Sequence, residues 1–147
     1  MIIRKATIED VPRLVEIGRH FLHASKYAQQ IADNPEKATE TLQAVVEKLG
    51  AIAVLENGTV QGMFAFVVFP HYFSGETFAT ELVWWLEPEA RQPGLGLKLW
   101  EYAEKLATEM GADRMQMGAP DDKVGRMYRM RGYKATEVCY EKRLGAA

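Results

Sequence analysis

Between residues 91 and 96 the chain reads Arg-Gln-Pro-Gly-Leu-Gly, directly after an apolar strand pattern and directly before an amphipathic helical stripe. The first four N–H groups of a helix have no partner inside it, and the helix dipole makes that end partially positive. Glycine lets the main chain approach a ligand with no Cβ in the way. Together these make an anion site, and phosphate is the anion that suits it best. Pro93 removes one donor but stiffens the approach. A plain strand-to-helix turn is the competing reading of two glycines. Two better-known phosphate loops are excluded. No Gly-Lys-Ser/Thr follows, and there is no third glycine at the dinucleotide spacing.

Other side chains could also do chemistry. Glu81 sits in the middle of the apolar run TFATELVWWL, where an unpaired buried charge is expensive. Strict alternation groups it with Ala79, Val83 and Trp85, although a bulge would flip its face. It reads either as a base of raised pKa or as half of a structural salt bridge or hydrogen bond. His20 and His23, three apart on a helix, could share a metal. With no third ligand at a recognisable spacing they read better as polar surface residues, and no metal is expected. His71 lies in the loop PHYFSGE. Cys139 has no adjacent histidine and reads as a small packed hydrophobe on a late strand. Lys98, Arg126, Arg129 and Arg131 read as a solvated basic face.

These residues need elements to position them. Residues 1–6 form a strand, and Val11, Leu14, Ile17 and Phe21 mark a helix with Pro12 in its first turn. Asn34-Pro35 opens a second helix that Gly50 stops. AIAVLE and TVQGMFAFVVF meet across Asn57-Gly58 as a hairpin, and TFATELVWWL adds a third strand. A helix follows over 95–110, with Leu95, Leu99, Tyr102 and Leu106 on one side. RMQMGA is a short strand, Asp121 or Asp122 caps a short helix through Arg131, and ATEVCYEKRL closes as a strand. The order β-α-α-β-β-β-α-β-α-β implies an α/β (α+β) fold, a central mixed sheet with helices on both faces.

Composition narrows the partners. The 147 residues suit one domain, 1–147, with a core large enough to need no metal or disulfide staple. The net charge of −2 and the scattered basic residues argue against nucleic acid. A single cysteine suits a reducing compartment. The polar start MIIRKATIED and the lack of a long apolar run argue against a signal peptide or a membrane span, so the cytoplasm is expected.

The segment Leu86-Glu87-Pro88-Glu89-Ala90-Arg91-Gln92-Pro93-Gly94-Leu95-Gly96 resembles motif A of the GNAT superfamily of acyl-CoA-dependent N-acetyltransferases. In that family an apolar-x-Pro strand end runs into Arg/Gln-x-x-Gly-x-Gly/Ala and a long helix. Met127-Tyr128-Arg129-Met130-Arg131-Gly132-Tyr133 is similar to the family's Leu-Tyr-x-x-x-Gly-Phe/Tyr. The element order matches over essentially the whole chain, with a mostly antiparallel sheet.

The resemblance implies acetyl-CoA as co-substrate, with the backbone N–H groups from Gln92 to Leu97 around its pyrophosphate, those of Gln92, Gly94, Leu95, Gly96 and Leu97 (Pro93 has none), and with Arg91 among the cofactor-binding residues. The pantetheine arm would pair with the main chain of Trp84, Trp85 and Leu86, where two strands splay apart. Tyr128, by itself a core aromatic, becomes the acid that protonates the departing thiolate. Glu81 becomes the candidate base, acting through a water, and a backbone N–H near Leu86 would meet the oxyanion. The family often has Asn where this chain has Asp121, which can accept but not donate and reads better as a helix cap. The acceptor would be a primary amine of a small molecule or peptide, met by the first two helices and the loops 24–35 and 70–76. Homodimers through the last strand are common in such folds, so that pairing stays open. A non-catalytic acyl-CoA-binding or protein-interaction module is the alternative.

Overall fold

A computed structural model describes residues 1–26 and 31–145. The middle of the loop 24–35 expected to meet the acceptor therefore lies outside the described residues. The chain forms two compact units, Met1–Met117 and Gly118–Ala147.

In the first unit, β2 (Gly50–Asn57) turns at Gly58, whose φ of 76° needs glycine, into β3 (Thr59–Pro70). β3 pairs antiparallel with β4 (Thr77–Leu86), β1 (Ile2–Lys5) lies antiparallel on the far side of β2, and β5 (Arg114–Gln116) runs parallel to β4. The sheet order is β1-β2-β3-β4-β5, mixed and mostly antiparallel as the sequence implies.

Alternation along the strands feeds two cores. Ile52, Val54, Met63 and Ala65 pack with Leu14 and Ile17 of α1 (Val11–Ala24) and with Leu42 of α2 (Pro35–Ala44). The other face holds Phe64, which meets Trp84, and Trp84 meets Trp100 of α3 (Leu95–Glu109) with ring centroids 5.4 Å apart. Burial on α3 falls on Leu99, Trp100, Ala103, Leu106 and Ala107. The stripe is thus turned from the expected one: Tyr102 is only half-buried, and the small Ala103 and Ala107 allow close approach to the sheet. Asn34 caps α2 by accepting from the Lys37 N–H at 3.0 Å.

Gly50 ends the second helical segment as expected, in extended rather than left-handed backbone. α2 gives way to a π-turn over Val45–Leu49, and Gly50 opens β2 in extended backbone, φ −179°. The reason for glycine is close approach, since a Cβ there would sit 1.9 Å from the Phe66 carbonyl oxygen. The closing strand over ATEVCYEKRL does not form. Residues 133–144 have no regular structure, and Cys139 is exposed rather than packed. Val138 and Tyr140 alternate as a strand would, but a strand needs a ladder, and among the described residues of this unit the only regular element is α4 (Asp122–Met130).

The start of the fold is held by charge. Arg4 donates to both Asp10 oxygens at 2.8 and 2.9 Å and to Glu56 at 3.0 Å, tying β1 to β2 and to the entrance of α1. Hydrogen bonds from Arg4 hold the Asp10 carboxyl below its usual range. The unfolded chain therefore takes up the proton first. The pair's contribution is present above about pH 4 and is lost as pH falls through the lower folded value. Asp10→Asn is expected to cost roughly 1 kcal/mol at neutral pH and to flatten the acid limb of stability, read by urea unfolding from pH 7 down to 3. Gly50→Ala is expected to cost at least about 2 kcal/mol in the same assay, because the carbonyl it strikes is held in the sheet.

Candidate active site

β4 carries the side chains of interest, and two bulges decide where they point. Ala65 pairs with Val83 while Phe66 pairs with Glu81, so Leu82 is an extra residue. Directly opposed residues share a face. Glu81 therefore lies on the face of Phe66, which Trp84 shares, and not on the face of Val83 and Trp85 that strict alternation gives it. The β4–β5 pairs run from Phe78–Arg114 to Thr80–Gln116, with none recorded toward Leu86. On β3, Leu55 pairs with Gly62 and Glu56 with Val60, leaving Gln61 as a second extra residue. Its carbonyl accepts the Glu87 N–H at 2.8 Å, which fixes the chain as it leaves β4.

Glu87 is the buried acid of this region, 4% exposed. Trp85 Nε1 donates to one carboxylate oxygen at 2.9 Å; the other meets His20 Nδ1 at 2.8 Å and the Arg13 guanidinium at 3.5 Å. Burial alone would push this carboxyl up. The hydrogen bonds from Trp85 and His20, with the charges of His20 and Arg13, outweigh it and hold the group below the usual carboxylate range. Arg13 is itself oriented by donating from Nε to the Val60 carbonyl at 2.8 Å. Phe21 meets Trp85 edge-on, centroids 6.1 Å apart, so α1 packs over the indole whose N–H serves Glu87.

Beside this network lies an open groove of about 730 Å³, lined by His20, His23, Trp85, Glu87, Glu89 and Arg91. The Arg91 guanidinium lies 4.4 Å above the Trp85 ring and its Nε donates to the Leu86 carbonyl at 3.0 Å. The strand end, the groove and the following turn are thus one connected piece.

The turn then enters α3. Gly94 is its N-cap, with φ 83° and ψ −12°, a left-handed conformation that glycine adopts without a Cβ penalty. Gln92 N–H donates to the Ala90 carbonyl and Leu95 N–H to the Gln92 carbonyl. At Gly96 a Cβ would meet Trp84 at 3.6 Å, ordinary contact, so the fold itself does not demand glycine there. A bare helix N-terminus behind two glycines fits a diphosphate.

In the second unit, Tyr128 on α4 is 6% exposed, and its hydroxyl donates to the Gly118 carbonyl at 2.8 Å. Its ring lies 6.0 Å from that of Tyr133, whose N–H returns to the Tyr128 carbonyl. Gly132, φ 92°, makes the turn between them. Asp121 caps α4 by accepting from the Val124 N–H at 2.9 Å, the role its type suggests.

The histidines do not converge. His20 belongs to Glu87, whereas His23 faces Asp33 at 3.4 Å. His71 Nδ1 accepts from the N–H groups of Phe73 and Ser74 inside its own loop. Among the described residues no group of three or more ligands could hold a metal, and no helix is long and apolar enough to cross a membrane. Sequence reasoning missed Glu87, which it read only as a link between strand and proline. One usable signal existed. Arg13 and His20 are seven apart, so two polar residues share one flank of the apolar stripe of α1.

A family model described as acetyltransferase (GNAT) family matches residues 16–133. No curated protein sequence matches significantly. Solved structures do. A transcriptional regulator from Bacillus halodurans C-125 is 21% identical with a TM-score of 0.77, over 97% of this chain and 99% of that one. A ribosomal-protein-alanine N-acetyltransferase from Brucella melitensis biovar Abortus 2308 is 16% identical with a TM-score of 0.73, over 98% and 100%. An aminoglycoside acetyltransferase from an uncultured soil metagenomic sample, in complex with sisomicin, is 19% identical with a TM-score of 0.73, over 99% and 96%. At these identities the neighbours speak for the fold, and the family match across most of the chain speaks for descent: the chain belongs to the GNAT family of acetyltransferases.

Proposed function

We propose that the protein, acting as a single domain, moves an acetyl group from acetyl-CoA to a primary amine of a small molecule or peptide by direct attack, with no acyl-enzyme. The observation that carries this is the left-handed Gly94 at the N-terminus of α3, immediately beyond β4. Pro93 has no N–H, and Gln92 and Leu95 spend theirs inside the turn, so the donors left for a pyrophosphate are those of Gly94, Gly96 and Leu97. The main chain of Trp84–Leu86 is the edge that would receive the pantetheine arm, and Arg91 fastens that edge to the turn. The thioester supplies an activated acyl group and a thiolate leaving group.

The chain must then supply protons in the right places. Tyr128 carries a phenol whose O–H already acts as a donor, toward Gly118, and would donate instead to the departing sulfur. Glu81 is the acceptor that β4 itself offers, through a water. The amine acceptor agrees in chemistry with the ribosomal-protein alanine and the aminoglycoside in the names of two neighbours. The regulator in the name of another keeps a second reading in view, a module that binds acyl-CoA or a protein without turning over.

Two variants test this. Gly96→Ala is expected to fold normally, since its Cβ meets only ordinary contacts, and to weaken coenzyme A binding at least tenfold by calorimetry. Undiminished binding would remove the phosphate cradle. Tyr128→Phe is expected to leave coenzyme A affinity within about twofold and to slow thiol release by about 100-fold. It should cost about 1 kcal/mol of stability for the lost bond to Gly118. Tight coenzyme A binding without thiol release from any amine of a broad panel would favour the module.

A further inference from the structure

The groove beside β4 contains a better-built proton acceptor than Glu81. An amine acceptor arrives as an ammonium with a pKa near ~10, so it must shed a proton before it can attack. An ordinary carboxylate lies about six units below that value and an ordinary imidazole about four, so the imidazole is the stronger base by roughly two units. His20 presents that imidazole in an oriented state. Glu87 is a carboxylate held in its ionised form, so it can only accept, and His20 Nδ1, 2.8 Å away, must be the nitrogen that carries the hydrogen. In the neutral ring this leaves Nε2 with its lone pair. The side chain is 45% exposed and lines the groove, and among the described residues no protein group bonds Nε2. The fixed charges around the pair are Arg13 on α1, Glu89 and Arg91 on the turn after β4, and Asp33, which is engaged by Arg19 and His23.

We propose that His20 Nε2 takes the proton from the acceptor ammonium in this groove, with Glu87 as the positioning residue that fixes its tautomer and supports the imidazolium. This rests on the acyl-transfer reading above and replaces Glu81 as the base. The step balances. The ammonium gives one proton to Nε2, from which it passes to solvent, and the freed nitrogen lone pair forms the C–N bond as the C–S bond breaks. The nitrogen's second proton is lost as the sulfur gains one, so the products are an amide, a thiol and one proton.

The test has two arms. Nitrogen-15 spectra of the free protein should show neutral His20 protonated on Nδ1, a preference weakened in Glu87→Gln, whose amide can also donate, and lost in Glu87→Ala. A proton on Nε2 in the wild type would overturn the proposal without any assay. For turnover, thiol release from acetyl-CoA is followed against pH with sisomicin, spermidine, tyramine and an alanyl peptide. Wild type can use the ammonium, whereas His20→Gln must wait for amine freed in solvent, so the ratio of the two isolates the base. The expected result is a loss of about 100-fold near neutral pH that shrinks as pH rises toward the pKa of the amine. KM for acetyl-CoA should stay within about twofold, and added imidazole should restore part of the rate. The ratio of Glu81→Gln to wild type should be flat with pH, whatever its rate. A pH-independent ratio for His20→Gln, or a shape lost only in Glu81→Gln, sinks this inference and leaves acetyl transfer standing. A wild-type protein that binds coenzyme A yet releases no thiol with any of the four amines sinks both.

Discussion

A carboxylate taken out of water has to be neutralised or fully bonded, and in the first unit Glu87 is the acid so placed. Its two oxygens are met from three directions: the indole of its own strand, the imidazole of α1 and the guanidinium of α1. Arg13 and His20 stand two helical turns apart, so satisfying both fixes the slant of α1 over β4 as well as its depth. The N–H of the same residue is claimed by the Gln61 bulge of β3. Helix, strand and turn are therefore pinned through one residue, and truncating it would leave an unbonded indole N–H under the helix and take from Arg13 one of its two carboxylates. Removing one partner of such a buried cluster costs far more than the cluster contributes as a whole.

The bulge at Leu82 makes a comparable division along β4. Without it, Glu81 and Trp85 would share a face and the strand would present acid and indole to the same helix. With it, Trp85 goes to the α1 side and Trp84 to the α3 side, where its ring meets that of Trp100. One tryptophan thus lines the groove and the other supports α3. The adjacent pair Trp84-Trp85 thus serves both cores, one ring to each.

Much of the fold was legible because its signals are local. Asn57-Gly58, Asn34-Pro35, the apolar stripe of α1 and the glycines before α3 each act within a few residues, and each appears as its chemistry requires. What was not legible shares a cause. The need for glycine at position 50 comes from a carbonyl sixteen residues away, the face of Glu81 from a bulge set in the β3–β4 register, and the state of residues 133–144 from the absence of a strand to pair with among the described residues of their own unit. The same holds for the candidate site. The glycine turn and Tyr128 could be picked out by pattern, but nothing in the pattern joins residue 20 to residue 87. That pairing exists only once α1 lies across β4.

The chemistry also explains why Glu87 and His20 serve in series and not as rivals. A carboxylate held below its usual pKa is a poor base, and its bonds to Trp85 and Arg13 make it poorer still. Those same bonds make it a fixed, permanently charged acceptor, which is what an imidazole needs if one nitrogen is to stay protonated and the other free. Exposure follows the same logic: the orienting group is buried where its charge is least screened, and the group that meets solvent and acceptor is left half open. If the two were exchanged, with a buried imidazole and an exposed carboxylate, the ring would lose access to the amine and the carboxylate would be screened by water. Burial across α1 and β4 therefore sets the fixed charge inward and the nitrogen that exchanges a proton outward.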